Sequence, residues 1–181
     1  NASSMSNIVA MGNTFSYGSH GICWLSSGAT LSSDNVFSYN TFSNNYYSYI
    51  YSQYLGNVTI KNNTCSATGV GSHYGFYLYY PQNSFTVTNN TINTTGTGSV
   101  YGVYNTYGNY STPTANEVTT SNNTITLYSS SATYGIYYYY YCKMVNISNN
   151  TLTQTSTGST NYGIYIYQYC DNIKCNNNTL N

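Results

Sequence analysis

The chain has 181 residues with three lysines, no arginine and three acidic residues, so charged residues make up 3% of it, against about 25% in an ordinary globular protein. So few cations exclude charge-driven binding to nucleic acid or anionic lipid, and no run approaches the roughly 20 apolar residues of a membrane-spanning helix. Aromatic residues reach 18%, which is typical of a folded chain rather than a disordered one. We expect one domain, residues 1–181, or one segment of a longer array.

Along the chain, the pair Asn-Thr followed by an apolar residue recurs at intervals of 27, 23, 27, 33, 27 and 28 residues. The threonines are Thr14, Thr41, Thr64, Thr91, Thr124, Thr151 and Thr179. In most copies apolar residues also stand four and six positions before the threonine, which is the period-two pattern of a strand with one buried face. Each copy therefore predicts a strand, an Asn-Asn corner and a second, short strand.

A block centred on Tyr-Gly lies between successive copies and predicts a third strand. It occurs as YGFYLYY (74–80), YGVYNTY (101–107), YGIYYYY (134–140) and YGIYIYQ (162–168). HGICWLS (20–26) and YSYIYSQ (47–53) are looser versions, the second apparently shifted by one residue. The chain has no Asn-Gly dipeptide, which disfavours hairpins. Strands that repeat at this period favour a solenoid in which each strand lies beside its equivalent in the next coil.

The V-x-I-x-N-N-T-[IL] and Y-G-[IV]-Y units resemble those of the right-handed parallel β-helix repeat family, seen in pectate-lyase-like proteins, viral tailspikes and adhesin-like surface proteins of archaea. The resemblance covers nearly the whole chain and implies an all-β solenoid of about six to seven coils with roughly 27 residues each. In that family an asparagine ladder lines a sharp corner, and the column from Asn13 to Asn178 is similar to it. Asn tolerates the left-handed backbone that such a corner needs, and stacked amides hydrogen-bond to each other.

Alternation along the Tyr-Gly strands predicts a tyrosine face on the outside of the solenoid. Its members are Tyr74, Tyr77, Tyr79, Tyr101, Tyr104, Tyr134, Tyr137, Tyr139, Tyr162, Tyr165 and Tyr167. Tyr138 and Tyr140 would point inward as core or rim residues. The tyrosine face has two interpretations: an aromatic ladder that only stabilises the sheet, or a contact surface for sugars or for self-association. In enzymes of the resembled family, the equivalent sheet carries the polysaccharide cleft.

The same resemblance implies pectate lyase or polygalacturonase activity, but the residues do not provide for it. Asp34 and Asp171 would lie about five coils apart, and Glu117 falls in an insertion, whereas glycoside hydrolysis normally needs two neighbouring carboxyls. Lys143 and Lys174 would lie in adjacent coils with no acidic cluster beside them. Because His20 and His73 are isolated at loop ends, we predict no metal site. We expect no catalytic residue, no cofactor and no enzymatic activity.

Five cysteines divide by their position in the repeat. Cys142 and Cys170 each stand seven residues after a column glycine, so stacking of adjacent coils would place their Cα atoms about 5 Å apart, and we predict a disulfide between them. Cys65 and Cys175 occupy inward columns and would be buried. Cys23 is left over.

Ten sequons offer candidate glycosylation sites, although composition alone would give roughly eight. They are Asn1, Asn57, Asn62, Asn89, Asn93, Asn109, Asn122, Asn146, Asn149 and Asn177. Five of them are the first Asn of Asn-Asn-Thr, at one corner of successive coils. Since the corner motif also occurs without a sequon, at Asn13 and Asn40, the column serves the fold and glycans would be an added use. Asn109, in the insertion, would be the least hindered site.

Together these features predict an extracellular or cell-surface structural protein, a glycosylated β-helix of a filament or adhesin. The alternative is a carbohydrate-binding module, or a viral or cell-surface fibre segment, that uses the tyrosine face. The expected partners are identical copies, joined head to tail or laterally, and possible polysaccharide, with no nucleic acid and no membrane insertion.

The SNIVAM start and Leu180-Asn181 end lack a capping helix, which favours self-association or a longer protein. A more distant alternative is ice binding, because threonines and a partly Thr/Ser column two residues beyond them would face outward.

Overall fold

The computed structural model describes residues 6–26, 32–109, 117–158 and 160–181. Within these ranges the chain forms 21 β-strands, numbered β1 to β21 in chain order, and no helix long and apolar enough to cross a membrane. Sheet A contains β1 (Val9–Met11), β4 (Ser32–Ser33), β5 (Val36–Ser38), β8 (Leu55–Lys61), β11 (Gln82–Thr88), β14 (Val118–Ser121), β17 (Lys143–Ser148) and β20 (Asp171–Asn176).

Two further sheets complete each coil. Sheet B contains β2 (Thr14–Ser16), β6 (Thr41–Ser43), β9 (Thr64–Val70), β12 (Thr91–Gly96), β15 (Thr124–Ser129), β18 (Thr151–Ser156) and β21 (Thr179–Leu180). Sheet C contains β3 (His20–Leu25), β7 (Ser48–Gln53), β10 (His73–Tyr79), β13 (Val100–Thr106), β16 (Ala132–Tyr138) and β19 (Thr160–Ile166). The chain passes through sheets A, B and C in turn and then returns to sheet A one coil further on.

Every strand pairs in parallel with its equivalent in the next coil, as the repeat predicted. Val9 lies beside Val36, Thr64 beside Thr91, and Phe76 beside Val103. Sheet C has six strands, so the described chain makes about six coils. The prediction of an all-β parallel solenoid with about 27 residues per coil is therefore confirmed.

The core is a set of apolar columns that run along the solenoid axis. In sheet B the column directly after the threonines points inward: Phe15, Phe42, Cys65, Ile92, Ile125, Leu152 and Leu180. In sheet C the inward column is Ile22, Ile50, Phe76, Val103, Ile136 and Ile164. These residues are fully buried in the middle coils and partly exposed in the first and last coils, against which only one described coil packs.

The asparagine ladder lies at the corner between sheets A and B, but its backbone differs from the expectation. The left-handed residue is the one before the ladder asparagine: Gly12, Tyr39, Asn62, Asn89, Asn122, Asn149 and Asn177 have φ between 53° and 71°. The ladder asparagines themselves are absent from the positive-φ residues, and those of the middle coils are buried. The two neighbouring positions therefore have separate tasks: the first turns the chain, and the second bonds the coils together.

A column of glycines in the strands of sheet C lies in close contact with the neighbouring coils. A Cβ atom on Gly102 would lie 2.5 Å from the carbonyl oxygen of Gly135 and 2.7 Å from Ile125. A Cβ atom on Gly135 would likewise lie 2.5 Å from the carbonyl oxygen of Gly163. The glycine and the residue after it are both buried, as at Gly75 and Phe76, so the alternation breaks here. Tyr74 and its equivalents therefore point outward, as predicted, together with the tyrosines three residues later.

Strand β7 follows the predicted one-residue shift. Ser48 lies beside Tyr74, and Tyr51 beside Tyr77, so Tyr49 takes the glycine position and turns into the core. There the hydroxyl of Tyr49 hydrogen-bonds to Oγ1 of Thr94 at 2.7 Å, which satisfies its polar end.

Candidate functional site

The predicted tyrosine face lies on the outer side of sheet C and the turn that follows it. Two of its columns are in register across four coils. The first contains Tyr74, Tyr101, Tyr134 and Tyr162, and the second Tyr77, Tyr104, Tyr137 and Tyr165. A third column contains Tyr79, then Thr106 in its register position, and further on Tyr139 and Tyr167, whose rings stack at 5.4 Å.

Rings of the first column stack nearly parallel along the solenoid axis. The ring centroids of Tyr74 and Tyr101 are 4.6 Å apart with an interplanar angle of 6°, and those of Tyr101 and Tyr134 are 4.7 Å apart at 10°. In the second column Tyr104 stands edge-on to Tyr77 and Tyr137, at 4.9 and 5.3 Å. Both arrangements are favourable for aromatic pairs. In the middle of the first column both ring faces of Tyr101 and Tyr134 are covered by their neighbours, so these residues present mainly ring edges and hydroxyls to solvent.

The tyrosine face extends by one coil beyond the predicted residues. Tyr47 contacts Tyr74 at 5.5 Å, and Tyr51 stacks on Tyr77 at 4.9 Å. His20 occupies the first-column position one coil earlier and contacts both Tyr47 and Tyr51. The loose repeats at 20–26 and 47–53 indicate this extension, because they align with the Tyr-Gly blocks once the second is shifted by one residue.

A second tyrosine ladder, which the sequence analysis missed, lies at the corner between sheets C and A. It consists of Tyr54, Tyr80, Tyr107, Tyr141 and Tyr169 and is called the corner ladder below. All five residues have left-handed backbones, with φ between 50° and 58°. Such a conformation costs an ordinary residue about 1–2 kcal/mol, yet it recurs in five successive coils.

Stacking and backbone hydrogen bonds offset that strain in the corner ladder. The rings of Tyr80 and Tyr107 are 4.2 Å apart at 6°, and those of Tyr141 and Tyr169 are 4.7 Å apart at 14°. The left-handed turn also lets the amide of each residue reach the next coil: the Tyr80 amide donates to the Thr106 carbonyl at 2.9 Å. Tyr140 joins this ladder to the tyrosine face through Tyr139 and Tyr141, so the tyrosines form one connected network.

Mutual burial keeps these phenols neutral. Burial and neighbouring phenols raise the pKa of Tyr77 to about 12 and raise the pKa of Tyr74, Tyr104 and Tyr137 further. The strands of sheet C contain no Lys, Arg, Asp or Glu. The network is therefore an uncharged surface over the physiological pH range.

The inward tyrosines are placed as predicted. Tyr138 is fully buried, and its hydroxyl hydrogen-bonds to Oγ1 of Thr120 at 2.8 Å. Tyr140 is partly exposed and lies at the rim, where it contacts Tyr107 and Tyr169.

Charged residues are dispersed over the coils. Asp34 accepts a hydrogen bond from Nδ2 of Asn57 at 3.1 Å, on the wall of an open groove outside sheet A. Each of the two lysines has one acidic neighbour rather than an acidic cluster. Lys174 forms an ion pair with Glu117 at 3.1 Å, because the side chains of sheet A that face outward reach across two coils, and Lys143 lies beside Asp171 in the register. Among the described residues no three His, Cys, Asp or Glu side chains are grouped to hold a metal.

The two histidines have different surroundings. Nδ1 of His20 hydrogen-bonds to Oγ of Ser48 at 2.7 Å on the edge of the tyrosine face. His73 is buried, its ring stands 4.6 Å from that of Tyr49, and burial lowers its pKa to about 4. Although sequence reasoning placed both in solvated loops, His73 lies inside the solenoid because the first residue of β10 points inward.

The predicted disulfide partners face each other across adjacent coils as free thiols. The Asp171 amide donates to the Cys142 carbonyl at 2.9 Å, which fixes the two coils at this point. A hydrogen bond shared with Cys142 lowers the pKa of the Cys170 thiol to about 7, whereas burial raises that of Cys142. The disulfide stays a prediction. Cys65 is buried as expected, but the expectation for Cys175 is wrong: it is exposed, because it lies in the last described coil.

Sequon asparagines occupy three kinds of position. Asn62, Asn89, Asn122, Asn149 and Asn177 are the left-handed corner residues, whose side chains are at least partly exposed, and Asn93 is exposed on sheet B. Asn57 and Asn146 hydrogen-bond to Asp34 and Glu117. The expectation that Asn109 is least hindered is wrong, because its side chain is buried in the turn after β13. Asn1 lies outside the described residues.

The threonine column is exposed in all seven coils of sheet B. The column two residues beyond it mixes Ser16, Ser43, Ser66, Asn93, Thr126, Thr153 and Asn181. Oγ of Ser16 and Oγ of Ser43 lie 2.8 Å apart, so part of this column bonds to itself along the axis.

Comparison with known sequences agrees with this architecture. A family model described as a right handed beta helix region matches residues 5–180. Neither a curated protein nor a solved structure matches the chain. The match spans nearly the whole sequence and the same coils that the asparagine and tyrosine columns define. The chain therefore belongs to the right-handed β-helix family.

Proposed function

We propose that this protein is an extracellular structural protein without catalytic activity, a component of a surface filament or adhesin in which the tyrosine face is the contact surface. The observation that carries the proposal is the connected, uncharged layer of phenols along one side of the solenoid. A contiguous aromatic surface rimmed by hydroxyls is typical of an interaction site.

Ring orientation favours a particular kind of contact. Since the faces of Tyr74, Tyr101 and Tyr134 are covered by one another, a partner meets their edges and hydroxyls. Sugar recognition by stacking needs a free ring face, whereas a second copy of the same surface can interleave edges and exchange hydroxyl hydrogen bonds. We therefore favour lateral self-association of the solenoids over a carbohydrate-binding module.

Corner sequons support an extracellular placement within this proposal. Asn89, Asn122, Asn149 and Asn177 carry exposed side chains at one corner, away from sheet C. Glycans at this corner would supply solubility to a chain with 3% charged residues and leave the tyrosine face uncovered.

The test compares equally exposed tyrosines on two different sheets. Tyr162 and Tyr167 are 42% and 40% exposed on the tyrosine face, and Tyr128 is 41% exposed on the outer side of sheet B. We expect the variant Tyr162→Ser/Tyr167→Ser to weaken self-association in sedimentation velocity, and Tyr128→Ser to behave as wild type. Equal effects of the two variants, or a wild-type chain that stays monomeric at all concentrations, would contradict the proposal.

A second arm measures the alternative function directly. Wild type and both variants are mixed with insoluble cellulose, chitin and pectin, and the bound fraction is measured. Retention that is lost only in Tyr162→Ser/Tyr167→Ser, with no self-association, would replace the structural role by carbohydrate binding.

A further inference from the structure

We propose that the stacked tyrosines of the last two coils are a site of oxidative phenol coupling, at which a peroxide-driven one-electron oxidant joins Tyr139 to Tyr167 and Tyr141 to Tyr169. The products are dityrosine bonds that staple one coil to the next within a single chain. This inference concerns covalent modification of the ladder and is independent of which partner the tyrosine face contacts.

The first support is ring geometry. The rings of Tyr139 and Tyr167 are 5.4 Å apart and only 3° from parallel, and those of Tyr141 and Tyr169 are 4.7 Å apart at 14°. Each pair therefore holds two phenol rings nearly parallel and within contact distance of each other. Such positioning replaces a bimolecular encounter by an intramolecular one.

The second support is access for an oxidant. Tyr139, Tyr167 and Tyr169 are 37%, 40% and 60% exposed. By contrast, Tyr137 is only 9% exposed and Tyr138 is fully buried, although both lie immediately before Tyr139 in the chain. The third column and the end of the corner ladder thus combine close stacking with exposure.

The electrons and protons of the coupling are accounted for by the two phenols and the oxidant, with no other group of the protein. Each phenol gives one electron to the oxidant and its hydroxyl proton to water, which leaves two phenoxyl radicals. The radicals join through the ring carbons next to oxygen, and the hydrogen on each joined carbon then moves to the oxygen and restores both phenols. Overall, two tyrosines and one hydrogen peroxide give one dityrosine and two waters.

The chain contains matched controls for exposure without stacking. Tyr17, Tyr39, Tyr46 and Tyr128 are 79%, 59%, 63% and 41% exposed. None of them has a ring contact with another described aromatic residue. If exposure alone decided the chemistry, these four would react at least as readily as the stacked pairs and would give links between chains.

The experiment treats the dilute, folded full-length chain with a haem peroxidase and hydrogen peroxide and then cuts it with a lysine-specific protease under reducing conditions. Because the lysines are Lys61, Lys143 and Lys174, both staples join fragment 62–143 to fragment 144–174. Reduction removes any disulfide between the same fragments. We expect dityrosine fluorescence, a chain that stays monomeric on a denaturing gel, and a joined fragment lighter by two hydrogens per staple.

Variants identify the pairs. Tyr→Phe keeps the ring stack but removes the oxidisable hydroxyl, so Tyr167→Phe and Tyr169→Phe should each lose one staple, and together most of the joined fragment. Tyr128→Phe should change nothing. The proposal is overturned if the joined fragment survives the double variant undiminished, if denatured and folded chains give the same links, or if coupling is absent or mainly links Tyr17, Tyr39, Tyr46 or Tyr128.

Discussion

The ladder asparagines of the middle coils, from Asn40 to Asn150, use every hydrogen-bonding group of their side chains. Nδ2 of Asn123 donates to the Val87 carbonyl and to Oδ1 of Asn150, both at 3.0 Å. Oδ1 of Asn123 accepts from both the amide and Nδ2 of Asn90, again at 3.0 Å. One buried side chain thus bonds to the coils on both sides, and its loss would leave several buried polar groups without partners.

We expect Asn123→Ala to lower the free energy of unfolding by about 3 kcal/mol or more, since each buried group left unpaired costs about 1–3 kcal/mol. The matched control is Asn122→Gly, because Asn122 is exposed and has φ of 55°, a conformation that glycine adopts freely. That variant should stay close to wild type. Guanidinium unfolding midpoints measure both, and equal midpoints for Asn123→Ala and wild type would show that the ladder contributes little.

His73 links stability to pH. Neither of its ring nitrogens has a hydrogen-bond partner of good geometry among the described residues, although the Asn45 backbone lies near enough to offset part of the burial effect. Its folded-state pKa is about 4, below the ordinary value of 6.5. The unfolded chain therefore binds a proton more readily, so the stability contribution is complete above about pH 6.5 and is lost as the pH falls towards 4.

The expected loss from His73 between pH 7.5 and pH 4 is about 2–3 kcal/mol. His73→Leu removes the titrating group, and its unfolding midpoint should fall less over the same pH range than that of wild type. His20→Leu serves as the control at the partly exposed histidine. If wild type and His73→Leu lose stability in parallel as the pH falls, His73 is not the group responsible.

At the scale of the strand and its corners, the glycine column sets how closely sheet C can stack. Gly102 leaves no room for a Cβ atom against the Gly135 carbonyl and Ile125. By contrast, a Cβ atom on Gly71 would meet only the Tyr46 hydroxyl, at 3.5 Å. The chain can therefore accept a side chain at Gly71, in the turn before β10, whereas a side chain at Gly102 would move a neighbouring coil.

Gly102→Ala should destabilise the chain by about 1–3 kcal/mol, which is the usual penalty of overpacking, and Gly71→Ala by much less. Thermal unfolding followed by far-ultraviolet circular dichroism compares the two. A Gly102→Ala midpoint equal to that of Gly71→Ala would mean that neighbouring coils separate easily at this column.

The strands and their register were predictable because identical residues recur in columns. Asn-Thr and Tyr-Gly fixed the order of the strands, and the shift at Ser48 followed from the same alignment. Spacing alone does not give the path that joins sheets A, B and C. That path followed from the resemblance to the right-handed parallel β-helix family. The exposure of Tyr162 was predicted, but the inward turn of His73 was not, because Gly75 and Phe76 are both buried and period-two reasoning does not contain this break in the alternation.

The corner ladder was missed for a physical reason. Tyrosine is uncommon at positive φ, so Tyr80 falls at the end of a predicted strand and Tyr141 outside the Tyr-Gly block, and neither is predicted to stack at a corner. In the sequence, however, a tyrosine stands five or six residues after the glycine of each Tyr-Gly block. Stacking over five coils makes the unfavourable conformation tolerable, and an isolated repeat could not show this.

At the scale of the whole molecule, a disulfide between Cys142 and Cys170 would fasten the last two coils together. Closing a loop of this length stabilises the folded state by about 3 kcal/mol in the chain-entropy model. We expect mild oxidation to remove two free thiols by thiol titration and to raise the thermal midpoint, while Cys170→Ser shows neither change. Retention of both thiols after oxidation would refute the pairing. Cys23→Ser, at the exposed cysteine of the first coil, is the control.

The backbone hydrogen bonds of all three sheets run parallel to the solenoid axis, one coil to the next, and this decides how the molecule responds to force. A pull along the axis breaks the backbone hydrogen bonds between one pair of coils at a time, rather than loading the bonds between many coils together. Each released coil of about 27 residues would lengthen the chain by about 90 Å. Stretched between two surfaces, the protein would yield in equal steps and take up mechanical load one coil after another.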